Sequence, residues 1–177
     1  MKNALTAHPE IGALPDLPAV VISRSGVQFD PRVDRWSIRD ATATFSLDFN
    51  VLRGVTPEMR TASQWALLWY AENMSPHHMM NMFRRLEHML RTITDGRREP
   101  LKEITSQDLL NYRATLSKRD SWYLGSLSGL LQKWNELGYP GVTDDAVVLL
   151  KQLRIPGNLK GEAVLTMDPD HGPFTDT

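Results

Sequence analysis

Apolar residues recur along this chain in two registers, and the change between them divides it. Between Val20 and Leu47 they come in short alternating bursts: Val20-Val-Ile, Val27-Gln-Phe29, Arg35-Trp-Ser-Ile38 and Ala43-Thr-Phe-Ser-Leu47. Alternation suits extended segments with one face inward, and Ser23-Arg-Ser-Gly26 predicts a turn joining the first two into a small hairpin. Residues 1–19 carry Pro9, Gly12, Pro15 and Pro18 without any apolar period, which predicts an arm. Residues 1–55 therefore read as an amino-terminal arm with short strands.

From Thr56 the period lengthens to that of a helix. Thr56 can cap, Pro57 fits the first helical position, and Glu58 suits the positive end of the dipole. Ala62, Trp65, Ala66, Trp69 and Tyr70 then recur at helical spacing as far as Asn73. Ser75-Pro76 repeats the cap-and-proline start. The second helix has the stripe Met79, Met82, Phe83, Leu86, Met89, Leu90 and Ile93, and Asp95-Gly96 stops it. Thr105 and Asp108 form a capping-box variant at the head of a third helix, with Ile104 stapling Leu109. A fourth follows Asp120-Ser121, with Leu124, Leu127, Leu130, Leu131, Trp134 and Leu137 inward and Gly138 as its stop. Thr143 caps a short fifth, Ala146 to Leu153, ahead of Pro156.

Charge adds a polarity to this pattern. The net charge of −1 hides 11 Lys and Arg against 8 Asp and Glu in residues 60–140, and 3 against 6 in residues 141–177. A mildly basic middle permits nucleic-acid binding without demanding it. The chain has no cysteine, which excludes disulfides and thiolate metal sites and is compatible with a reducing cytoplasm. No apolar run approaches a membrane span, and Met1 to Asp16 lacks the order of a secretory signal. His77-His78 beside several methionines suggests a soft-metal site, but Met79 and Met82 fall on the core stripe and adjacent histidines diverge, so neither metal nor cofactor is expected.

Three phrases carry a resemblance. Leu101-Lys-Glu-Ile-Thr-Ser-Gln-Asp-Leu-Leu-Asn-Tyr resembles the opening of the third helix in the core-binding domains of phage-type tyrosine recombinases (integrases). Leu127-Ser-Gly-Leu-Leu-Gln-Lys-Trp-Asn-Glu-Leu-Gly is similar to that family's fourth helix. Asp168-Pro-Asp-His-Gly-Pro-Phe-Thr resembles the lead-in to its catalytic domain. The resemblance runs from Thr56 to the end of the chain. It implies a mainly α fold, a four-helix SAM-like core-binding bundle over residues 56–155, and a linker over 156–177 towards a catalytic domain. It implies double-stranded DNA, that catalytic domain and further recombinase protomers as partners, in the cytoplasm of a bacterial or phage-infected cell.

The family's chemistry needs Arg, Lys, an H-x-x-R box and a nucleophilic Tyr around a phosphate. One H-x-x-R occurs here, His88-Met-Leu-Arg91, but mid-helix in the wrong domain, and Tyr112 and Tyr123 come too soon to serve as nucleophile. The chain is therefore expected to grip DNA without cutting it. On a helical wheel the second helix carries a polar stripe opposite its apolar one: His77, Asn81, Arg84, His88 and Arg91. Arg forks match phosphate and guanine acceptors, and the family's second and fourth helices face DNA. Arg97-Arg98 and Lys118-Arg119 are further candidates for backbone phosphates. Small residues on the fourth helix, Gly125, Ser128, Gly129 and Gln132, allow close approach, more simply by another helix than by DNA. Two rival readings stay open: a free-standing helical DNA-binding module, and a protein-interaction bundle whose basic stripe is only solvated.

Overall fold

The computed structural model describes residues 14–155. Residues 1–13 of the expected arm and the expected linker 156–177 lie outside them. The described chain forms two two-stranded antiparallel sheets and then five helices. β1 (Val21–Ile22) pairs with β2 (Gln28–Phe29), Val21 opposite Phe29, around the turn the sequence marks. β3 (Arg35–Arg39) pairs with β4 (Thr44–Asp48), Trp36 opposite Leu47. Alternation buries Trp36, Ile38 and Leu47 and leaves Arg35, Ser37 and Arg39 outside.

The helices are α1 (Pro57–Asn73), α2 (Pro76–Thr94), α3 (Ser106–Thr115), α4 (Tyr123–Glu136) and α5 (Asp144–Gln152). Four of the five starts are closed by the expected hydroxyls: Thr56, Ser75, Thr105 and Thr143 each accept from a backbone N–H in the first turn. The capping box is complete, since the Asp108 carboxylate also receives the Thr105 N–H at 3.0 Å. α4 differs. Trp122 occupies its N-cap position and no side chain caps it.

One extended stretch laces three of these starts together. Leu101 and Ile104, in the α2–α3 connection, bridge in parallel to Val55 before α1 and Val142 before α5. Gly141, at φ 120°, makes the second crossing possible, because a Cβ there would stand 2.8 Å from the Trp134 ring.

One expectation about the amino-terminal region is corrected by the structure. Leu14 to Ala19 is no free arm: Leu14 and Leu17 pack on the core, and Trp65 Nε1 donates to the Pro15 carbonyl at 3.0 Å. Two isolated leucines anchor it, a signal too sparse to read as a period. The strands share the core of the helices, because one hydrophobic cluster runs from Val21 to Leu150. Phe29, Trp36, Phe49 and Phe83 form an aromatic ladder with centroid separations of 5.2, 4.7 and 5.3 Å, joining both sheets to α2. α1 also departs from its wheel. It is buried on most sides through Met59, Ala62, Ser63, Gln64, Ala66, Leu67, Leu68, Tyr70 and Ala71. Trp65 and Trp69 are only partly covered, Trp65 stacking on Tyr139 at 5.2 Å and Trp69 lying under the Lys133 ammonium at 4.5 Å.

Candidate nucleic-acid interface

α2 packs against α1, α3, α4 and β4, so little of its circumference is free. The polar stripe on what remains is not uniform. His77 meets the edge of Phe45 on β4 at 5.9 Å, and Asn81 is half-buried. Arg84 is exposed and, among the described residues, has no ion pair or side-chain hydrogen bond. Arg91 is exposed with only a loose contact to Glu87, 3.8 Å away.

His88 is drawn inward. Its Nδ1 lies 2.8 Å from the Tyr112 hydroxyl of α3, and its ring meets Tyr112 and Tyr123 edge-on at 5.7 and 5.4 Å. Burial, then the positive charges of Arg91 and Arg85, lower its pKa from the ordinary imidazole value, with Asp120 and Glu87 opposing. Burial likewise pushes the Tyr112 phenol well up, and its hydroxyl is already engaged with His88.

Of the two basic pairs, the first splits. Arg97 donates from Nε to the Ile93 carbonyl at 2.8 Å, and its guanidinium pairs with Asp108. It thus closes the end of α2 and ties it to the capping box of α3, where Asp108 is buried. Arg98 beside it is exposed. Lys118 and Arg119 are both exposed, in the turn that leads through Trp122 into α4. Of the nine candidate residues, His88 and Arg97 are therefore committed to the fold. Arg84, Arg91, Arg98, Lys118 and Arg119 keep accessible cationic groups.

The wheel passed over Arg85. Its guanidinium lies 3.7 Å from the Tyr123 ring centre and 4.5 Å from that of Trp122, and those two rings stand at 88° to each other. This contact, with that of His88 on Tyr123, seats the start of α4 against α2 just after the Lys118-Arg119 turn. The aromatic pair opening α4 ahead of its leucine face was the available signal. The α4 glycines are also reassigned, since neither Gly125 nor Gly129 is pressed against another helix. A Cβ at Gly129 would meet nothing within 4 Å, and one at Gly125 only Ile155 at 3.4 Å. Ser128 is buried and accepts from Gln132 Nε2 at 2.8 Å.

Among the described residues no group of three His, Asp or Glu is placed to hold a metal ion, and no helix is long and apolar enough to cross a membrane. A cleft of about 260 Å³ lies between the end of α2 and α3, lined by Ile93, Arg97, Asp108, Asn111 and Tyr112. Its one cation is already neutralised by Asp108. Comparison with family models, curated proteins and solved structures gives no match to this chain.

Proposed function

We propose that this chain is the DNA-gripping part of a site-specific tyrosine recombinase, with residues 56–155 as a SAM-like core-binding bundle and the catalytic machinery elsewhere. The observation that carries this reading is a set of exposed cations on α2 and in the turn before α4, two elements joined by the Arg85 and His88 contacts to Trp122 and Tyr123. Arg84, Arg91, Lys118 and Arg119 are exposed there, none of them in a close ion pair among the described residues. Guanidinium and ammonium groups so placed neutralise backbone phosphates, and an arginine on a helix face can also read guanine. The order of helices and the closed Thr105–Asp108 box accord with the resemblance read from the sequence. The bare surface at Gly129 offers a close approach to a helix backbone.

Only a few phosphates can be neutralised by such a surface, so binding should be weak and steeply salt-dependent. Titrating labelled duplex DNA at low and at moderate salt tests this. Binding at low salt that fades as salt rises is expected; no binding at low salt sinks the reading. A suicide substrate that traps strand-cleaving tyrosines should yield no covalent adduct with this chain. An adduct at Tyr112 or Tyr123 would overturn the assignment of roles.

A protein-interaction module is the second reading. It draws on Leu110 of α3 and Val148 of α5, which are 41% and 53% exposed. Failure to bind DNA would favour it.

A further inference from the structure

Arg85 is held neither by a carboxylate nor, as Arg24 and Arg60 are, by a backbone carbonyl. Arg32, Arg35, Arg91 and Arg97 each lie beside a carboxylate, of Asp30, Asp48, Glu87 and Asp108 respectively. Arg85 has none. Among the described residues its side chain makes no ion pair and no hydrogen bond, yet its guanidinium carbon lies over the Tyr123 and Trp122 rings, 3.7 and 4.5 Å from their centres. Its Nε is enclosed without a partner, while the residue as a whole is only half-buried.

Such an arrangement has a definite chemistry. Ring quadrupoles offset part of the cost of covering a guanidinium, but they accept none of its in-plane hydrogen bonds. What remains is an ordered fork with an open edge, which suits the two oxygens of a phosphodiester. Neither nearby acid pairs with Arg85 among the described residues: Asp120 accepts from Ser117 Oγ at 2.9 Å, and Glu87 has only its loose contact with Arg91 at 3.8 Å. Exposed cations flank it along the chain, Arg84 and Arg91 on α2 and Lys118-Arg119 just before Trp122.

We propose that Arg85 is a phosphate-seating residue, its guanidinium held on Trp122 and Tyr123 so that the free edge takes a backbone phosphate of duplex DNA. The seat fixes the register of α2 and α4 on the duplex and reads no base. This inference rests on the DNA-binding reading above and adds to it a residue outside the polar stripe.

The test uses the full chain, labelled duplexes of two unrelated sequences, and the variants Arg85→Ala and Arg85→Lys, each melted before titration. Arg85→Ala should weaken binding about tenfold on both sequences and flatten the salt slope by about one. Arg85→Lys keeps the charge but not the fork, so it should keep the slope and still lose about fivefold. Inorganic phosphate should compete with the parent only at high concentration, which separates a backbone phosphate from a free anion as the natural occupant; competition at low concentration would overturn the DNA assignment of the seat. If Arg85→Ala does not melt cooperatively, Arg85→Lys decides, and parental affinity in that variant overturns the proposal. A parent that binds DNA while both variants match it in affinity and slope overturns the seat alone. A parent that binds no DNA overturns the functional reading along with it.

Discussion

The His88 imidazole holds a junction of three helices, with Nδ1 on the Tyr112 hydroxyl and its ring edge on Tyr123. Because its pKa is depressed in the folded protein, the unfolded chain takes up the proton first. The stability it contributes is full above its ordinary value of 6.5 and declines as the pH falls below that towards the lower folded value. Melting temperatures followed from about pH 7.5 to about pH 5 should fall more steeply in the parent than in His88→Gln, which has no imidazole to protonate. Parallel curves would show that the junction does not respond to protonation. Arg97 and Asp108 make a complementary case. Asp108→Ala opens the capping box and strands the Arg97 charge, so a loss of about 2–4 kcal/mol is expected from chemical denaturation. A loss below about 0.5 kcal/mol would mean that water replaces the pair without cost. Neither partnership was legible in the chain, since the sequence places both residues on polar positions and says nothing of what lies across from them.

Helices were the readable scale. Their starts are local chemistry, a hydroxyl accepting from a backbone N–H three residues on, and Thr56, Ser75, Thr105 and Thr143 announce themselves. α2 was legible all along its length, because its apolar stripe is clean and every residue of it is buried. Phe83→Ala should therefore cost about 3–5 kcal/mol, whereas Arg84→Ala and Arg91→Ala should stay within about 0.5 kcal/mol. Those arginine variants should nonetheless bind DNA less well, and thermal melts paired with DNA titrations check both halves. Parental binding in both would leave this face as solvated surface. α1 was harder to read because a helix enclosed on most sides has no strong period to find. α4 offers the reverse opportunity. Gly129→Ala fills open space in a helix interior and should stabilise the fold by about 0.5–1 kcal/mol. If DNA approaches that helix, the same methyl group lowers its affinity. A higher melting point with unchanged DNA binding would assign the bare strip to solvent.

At the scale of the whole molecule, the aromatic ladder from Phe29 to Phe83 has a practical corollary for anyone dissecting the chain. Trp36, Ile38, Leu47, Phe49 and Leu52 are each no more than 1% exposed, and each contributes about 1.5–3 kcal/mol on burial. Together they rival the entire folding free energy of a domain this size, about 5–15 kcal/mol. A fragment cut at Thr56, where the helical pattern invites the scissors, would keep every helix and lose the surface on which α1 and α2 close. It should bind hydrophobic dye and melt without a sharp transition, while the full chain unfolds in one step. The smallest self-standing piece must therefore carry the hairpins, and heritable change on the strand side of the ladder would have to be matched on α2.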